Sequence, residues 1–203
     1  MSIWSWDGIV PVVDPEAFVH PDATVLGDVI IGPGVYIGPQ CVLRGDFGRI
    51  EIGAGANVQE TCVVHTFPNL GVVIEPSGHI GHGAVLHGCR IGRNVMVGMN
   101  AVVMDQAEIG ENSIVAAMAF VKAGAKIPPR SLAVGSPARV ARELSDEEIA
   151  WKTRGTGVYQ RLALEAREKL APCEPLTAPE PDRRRVRSPD YDPLIIARLK
   201  LGD

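Results

Sequence analysis

Large aromatic side chains are scarce: 3 Trp, 3 Tyr and 4 Phe make up 5% of 203 residues. The length allows one domain with a real core and little more, so that core must be aliphatic and folded around tight turns. Paired cysteines are missing. Cys41, Cys62, Cys89 and Cys173 show no C-x-x-C spacing, which excludes a disulfide framework and a Cys-type zinc site and reads as reduced thiols. A basic field is missing too. Twenty Lys and Arg against 24 Asp and Glu leave a net charge of −4, which argues against nucleic acid as a partner. No apolar run reaches the ~20 residues of a membrane span. The start, MSIWSWDGIVPVV, lacks the basic-then-apolar order of a secretory signal. The expected setting is cytoplasmic, away from membranes. What is abundant is Gly (22) and Pro (16), with 46% hydrophobic and 22% charged residues, a globular composition.

The dominant pattern is a repeat of six. Ile91, Val97, Val103, Ile109, Val115, Val121 and Ile127 follow one another at that step, as do Val19, Val25, Ile31, Ile37 and Leu43, and then Ile52, Val58 and Val64. Neither a helix (3.6) nor a single strand (2) has this period. Six residues are one short strand plus one corner. Three such units close a triangular coil of about 18 residues, and coils stack about 4.8 Å apart through sheet hydrogen bonds. The β-branched residue points into the prism. The expected fold is therefore all-β, a parallel β-helix of hexapeptide repeats. The register slips three times: nine residues from Leu43 to Ile52, sixteen from Val64 to Ile80, five from Leu86 to Ile91. Slips mark bulging loops, and loops on solenoids carry function. The second slip holds HTFPNLGVVIEPSG (65–78).

Pro128, Pro129 and Pro137 cannot donate ladder bonds, so the β-helix is expected over residues 1–140. A helical segment over 141–171 follows. Ser145 and Glu148 make a capping box, Asp146 and Glu147 suit the positive helix end, and Ile149, Tyr159 and Leu162 begin an apolar stripe. A solenoid needs a cover, so this helix is expected to pack along the prism. Gly155 and Gly157 are expected to split it into a short and a longer helix. Residues 172–203 read as an extended, Pro-rich tail with a solvated basic run, RRRVR at 183–187.

The chain has five histidines, and four of them, His65, His79, His82 and His87, fall within 23 residues. Imidazole is the commonest zinc ligand, and three histidines with one open position make a catalytic zinc site. His65 and His87 are 22 apart, one coil plus about four inserted residues, so they stack on the same face. His82 and His87 are five apart, nearly one side of the triangle, which is roughly 15–20 Å of extended chain. Zn–N bonds are about 2.0–2.1 Å, so the three do not meet within one prism. They meet where His82 of one copy faces His65 and His87 of another, as threefold packing allows.

Arg44-Gly45-Asp46, Asn57-Val58-Gln59-Glu60, His65 and Gly81-His82 through His87-Gly88-Cys89 together resemble the gamma-class carbonic anhydrase family. GDVIIGPGVYIGP, LRGDFGRI, GHIGHGAVLHGC, VGMNAVVMD and GSPAR look like its branch of phenylacetic acid degradation and carnitine operon hexapeptide proteins. The resemblance covers roughly residues 7 to 170. It implies a left-handed coil and a homotrimer with Zn2+ at each subunit interface (Fe2+ or Co2+ as substitutes). His65 and His87 would come from one chain and His82 from its neighbour. It further implies a buried charged pair, Arg44 and Asp46, near the interface, and Glu60 stands near the site where the family usually has Asp. Gln59 would orient the metal-bound water, and Tyr159 would reach the metal from the C-terminal helix. The resemblance gives His79 no metal role, leaving it behind the site or exposed, and His20 reads as a corner residue.

The archetypal enzyme of that class has a proton-shuttling acidic loop. Here the loop offers only Glu75, and fast CO2 hydration needs a proton relay. The phenylacetate branch implies instead hydrolysis of aryl-acyl-CoA thioesters that stall the pathway. Metal-bound hydroxide attacks either carbonyl carbon, that of CO2 or that of a thioester. Two other readings compete. Hexapeptide coils host CoA-dependent acyltransferases, which GSPARV (135–140) resembles, and a rigid trimeric prism serves equally as a non-catalytic scaffold.

Overall fold

A computed structural model describes residues 2–186, 189 and 191–201. The step of six becomes three columns of inward side chains, each in parallel register from coil to coil. The first column is Val19, Ile37, Val58, Ile80, Val97, Val115 and Ala133. The second is Val25, Leu43, Val64, Leu86, Val103 and Val121. The third is Ile31, Ile52, Ile74, Ile91, Ile109 and Ile127. All are buried, and with no rings among them they fill a narrow prism. The sixteen-residue slip conceals Ile74. The insertion is a loop over 66–71 on one long side, and the six-residue step resumes from Ile74 to Ile80.

Corners need backbone in the left-handed region. Ser77, Asn94, Asn112 and Arg130 hold positive φ one above another, continuing Gly34 and Gly55. Two strands, Thr24–Ile31 and Val42–Ile52, bend around a corner unbroken. A Cβ at Gly27 would stand 2.5 Å from the Gly45 carbonyl oxygen, so only glycine permits these backbones to turn together.

The faces differ outward. The first, carrying Phe18, Tyr36, Asn57 and His79, lies under a helix. The third presents Glu51, Arg90, Glu108 and Lys126, with Arg90 and Lys126 paired to Glu75 and Glu108. The second presents a bare apolar ladder, Val42, Val63, Val85, Val102 and Phe120. Val63 and Phe120 are exposed.

The β structure runs past residue 140, because Ser131–Val134 pairs antiparallel with Arg139–Glu143. Helix α1 (Asp146–Lys169) follows, with the capping box formed. It runs back along the first face from Arg130, which pairs with Asp146, to the Glu16 carbonyl, which accepts from Arg167. The expected break at Gly155 and Gly157 does not occur. Gly155 is a notch: a Cβ there would stand 2.4 Å from the Tyr191 hydroxyl. The helical cost of glycine, about 1 kcal/mol, is outweighed by packing. Nor is the tail extended throughout. Tyr191 stacks on Trp151 with centroids 5.5 Å apart, the Trp151 indole donates to the Asp192 carbonyl, and Leu194–Leu201 forms helix α2. In the basic run, Arg183 to Val186 are exposed and Arg187 lies outside the described residues.

Lys152 joins α1 to the prism. It is 2% exposed, and its Nζ donates to the Ser77 carbonyl (2.9 Å) and Asn94 Oδ1 (2.7 Å). No carboxylate pairs with it among the described residues. A neutral amine has two N–H bonds, and both are used. Burial brings its pKa down from 10.5 to about 7. Between those values the unfolded chain binds the extra proton, so stability rises with pH. From pH 7 to 10, wild type is expected to gain roughly 3 kcal/mol over Lys152→Met. Denaturant titrations at fixed protein concentration check this, and parallel pH profiles refute it.

A candidate metal centre beside an apolar cleft

The bends place Asp46, His65, His87 and Asp105 in one vertical column, at steps of 19, 22 and 18 residues. His65 and His87 are register partners on neighbouring strands. The column is a continuous polar chain. His65 Nε2 lies 3.1 Å from Asp46 Oδ1, His65 Nδ1 lies 3.2 Å from His87 Nε2, and His87 Nδ1 lies 2.7 Å from Asp105 Oδ1. Arg44 Nη1 donates to Asp46 Oδ2 at 2.6 Å. Burial tends to raise the Asp46 pKa, but Arg44 outweighs it and the carboxyl sits below its usual range. Burial, then Arg44, lowers the His65 pKa. The rings of Phe47 and Phe67 flank His65 and His87 at 5.3 and 5.1 Å.

A carboxylate only accepts. With both rings neutral, each histidine donates outward to its aspartate, and two lone pairs face each other at 3.2 Å. That contact is unfavourable without a positive charge between them. Two ligand nitrogens on a tetrahedral zinc stand about 3.3 Å apart for Zn–N bonds of 2.0–2.1 Å. Carboxylates behind the rings are the usual outer support of such ligands. The donor set therefore fits a metal ion.

His82 stands elsewhere, on the corner between His79–Ile80 and Val85–His87, across the second face from the column. Its Nδ1 is hydrogen-bonded to Glu60, which also accepts from the Tyr36 hydroxyl at 3.2 Å. The His82 Nε2 has no hydrogen-bond partner among the described residues. Among the described residues of one chain no three His, Cys, Asp or Glu surround a common metal position. In the single chain Glu60 bonds His82 and Tyr36, and the Arg44 and Asp46 side chains are 42% and 11% exposed.

Gln59 and Tyr159 do not approach the column in their own chain. Gln59 is buried with His79, whose Nε2 lies 2.7 Å from the amide nitrogen, and that nitrogen also donates to Asn57 Oδ1 at 2.9 Å. His79 is 8% exposed, so it is not a surface residue. It packs edge-on to Tyr159 at 5.3 Å. Burial above all, with Lys152 and His82 adding, lowers the His79 pKa to about 3, so the ring is neutral. Tyr159 also meets Tyr36 at 5.6 Å, and burial, then Glu60, raises its pKa to about 12. Its hydroxyl remains a donor at neutral pH. Gln59, His79, His82 and Tyr159 form one end of a cleft of about 380 Å³ between α1 and the prism edge. His20 is a corner residue, accepting from the Asp22 amide. Glu75 is bound by Arg90 and the Arg93 amide on the third face. Asp105 is not singled out by the sequence, although its place one coil after His87 is a usable signal.

A prism of hexapeptide coils with an outer helix defines a class, and the family described as "Bacterial transferase hexapeptide (six repeats)" matches residues 11–45 and 88–123. The fold is shared with a hexapeptide transferase family protein from Anaplasma phagocytophilum, at 37% identity and a TM-score of 0.78, covering 83% of this chain and 98% of that one. It is also shared with a point mutant of AntD, an N-acyltransferase from Bacillus cereus, at 16% identity and a TM-score of 0.60, covering 75% and 92%. More narrowly, the chain belongs to the family of the carnitine operon protein CaiE. It is 52% identical to the Proteus sp. protein over 187 residues, 92% of this chain and 95% of that one, and 51% identical to the Escherichia coli K12 protein over the same shares. Among the described residues no helix is long and apolar enough to cross a membrane.

Proposed function

We propose that the chain acts as a homotrimer with a zinc site at each subunit interface and hydrolyses acyl-CoA thioesters, CO2 hydration being the second reaction open to the same site. The observation that carries this reading is that His65, His82 and His87 each have a carboxylate on one ring nitrogen, which leaves the other nitrogen of each to face a metal. His65 and His87 lie at one edge of the apolar second face and His82 at the other. Packing that face against a second copy removes the Val42-to-Phe120 ladder from water, and threefold repetition closes the set.

Zinc held there supplies a water ionised near neutral pH and a Lewis acid for a carbonyl oxygen. The chain's own groups do the rest. Asp46, Glu60 and Asp105 fix the ring tautomers. Phe47 and Phe67 keep bulk water from His65 and His87. Tyr159 holds a proton it can share with an oxyanion, and Gln59 offers an amide beside it. Hydrolysis forms a C–O bond to water and breaks the C–S bond, leaving a thiol and a carboxylic acid that ionises.

Similarity to transferases favours a second reading, acyl transfer from CoA. Metal analysis, sedimentation and paired assays on the purified protein decide. The expected result is a trimer with one zinc per chain, and thioesterase turnover abolished by chelation and restored by zinc. Acyl transfer that survives complete metal removal overturns the first reading.

A further inference from the structure

Behind the polar end of the cleft, a chain of hydrogen bonds runs from α1 to Gln59. The Thr156 hydroxyl donates to the Lys152 carbonyl one turn back, at 3.4 Å, as hydroxyls inside helices do. Its proton is thereby committed. Towards His79 Nδ1, also 3.4 Å away, its oxygen can only accept. A neutral ring carries one N–H, and this contact places it on Nδ1. Nε2 is then a lone pair, to which the Gln59 amide nitrogen donates at 2.7 Å. The second N–H of that amide goes to Asn57 Oδ1 at 2.9 Å. Asn57 Nδ2, 3.3 Å from His79 Nδ1, is the weaker contact. The reverse arrangement, with both amides turned over, needs an N–H on each ring nitrogen. Burial above all, with Lys152 and His82 adding, keeps that imidazolium out.

Both N–H groups of Gln59 therefore point inward. Its Oε1 accepts from no group among the described residues. Fully buried side-chain polar atoms all have partners there, so Oε1 opens on the cleft that Gln59 lines with His82. We propose that His79 is a positioning residue: its bare Nε2 holds the Gln59 amide so that the polar end of the cleft receives an acceptor oxygen and no amide donor. An acceptor holds an O–H and repels an oxyanion. Tyr159, whose hydroxyl keeps its proton, is the donor at the same end. The two side chains thus divide the roles: Gln59 Oε1 accepts from the attacking water, and Tyr159 donates to the oxyanion. That division rests on the thioesterase reading. The ring tautomer and the amide direction do not.

The test uses the full chain, deuterated and labelled with 15N in the histidine rings, and nuclear magnetic resonance reads which ring nitrogen carries hydrogen. His79→Phe identifies the His79 signals and keeps a ring against Tyr159 without a lone pair. Wild type is expected to show Nδ1 protonated and Nε2 bare from pH 5 to 9. The Gln59 side-chain amide hydrogens are expected to exchange with solvent about tenfold faster in His79→Phe, which loses one hydrogen bond. Thr156→Val removes the acceptor that holds the Nδ1 proton, and a share of Nε2–H tautomer is expected to appear. If His79→Phe does not fold, Thr156→Val alone decides. On turnover, His79→Phe is expected to lower kcat about tenfold with KM little changed, and in a Gln59→Ala background to cost no more than about twofold. Nε2 protonated in wild type overturns the proposal. So does Gln59 exchange unchanged in His79→Phe, a tautomer unchanged in Thr156→Val, or an equal loss of kcat in both backgrounds. A protein without metal-dependent turnover sinks the thioesterase reading, and the spectra still decide for or against His79.

Discussion

Protein carrying His82→Ala and protein carrying His87→Ala are each expected to be inactive, and refolding them together is expected to restore about a quarter of wild-type turnover. The number follows from the separation of the ligands. His65 and His87 belong to one column, and His82 sits on the far corner of the same face. A shared site is whole where the His82→Ala chain supplies the column and the His87→Ala chain supplies His82. Each chain takes its part with probability one half in an equal mixture, so about one interface in four is complete in a closed ring. A site contained in one chain would be broken in every copy. Zinc content rises with turnover, because an open site has no spare protein ligand. Exchange of subunits verified by mass spectrometry, with no recovery of zinc or turnover, rules out the shared site.

The histidine geometry is legible in the sequence because solenoids convert sequence distance into height. Twenty-two residues between His65 and His87 mean one coil, and the structure makes them neighbours 3.2 Å apart. The same arithmetic leads from His87 to Asp105, but a lone Asp among 24 acidic residues draws no notice until its partner is known. Long-range packing is not legible. Gly155 reads as a helix breaker from local propensity, and its reason for being there, the Tyr191 ring, lies 36 residues downstream. Ile74 is hidden because the loop before it breaks the step of six. The Glu60 side chain turns along its own corner to His82, a contact the period of six does not show. The period fixes where a backbone goes, and side-chain direction at corners depends on neighbours in other coils.

His79 gives a pH effect on stability as large as that of Lys152, on the acid side. It is a buried imidazole with Gln59, Asn57 and Thr156 as its polar contacts and no carboxylate among them. Lys152 stands near enough to oppose a second positive charge, and His82 adds to this. The folded pKa of about 3 lies below the ordinary 6.5, so between these values the unfolded state binds the proton and the folded state does not. Stability is complete above pH 6.5 and falls steadily as pH drops toward 3. Between pH 7 and 4 the loss from this one group is expected to reach roughly 3 kcal/mol. Carboxylates titrate in the same range, so the measurement is a difference: unfolding free energies of wild type and His79→Gln at equal protein concentration from pH 7 to 4. The variant is expected to begin less stable, having lost the ring against Tyr159, and to fall less steeply, so that the two curves converge in acid. Curves that stay parallel would mean that His79 takes up its proton inside the fold, and the neutral ring behind Gln59 would be ruled out.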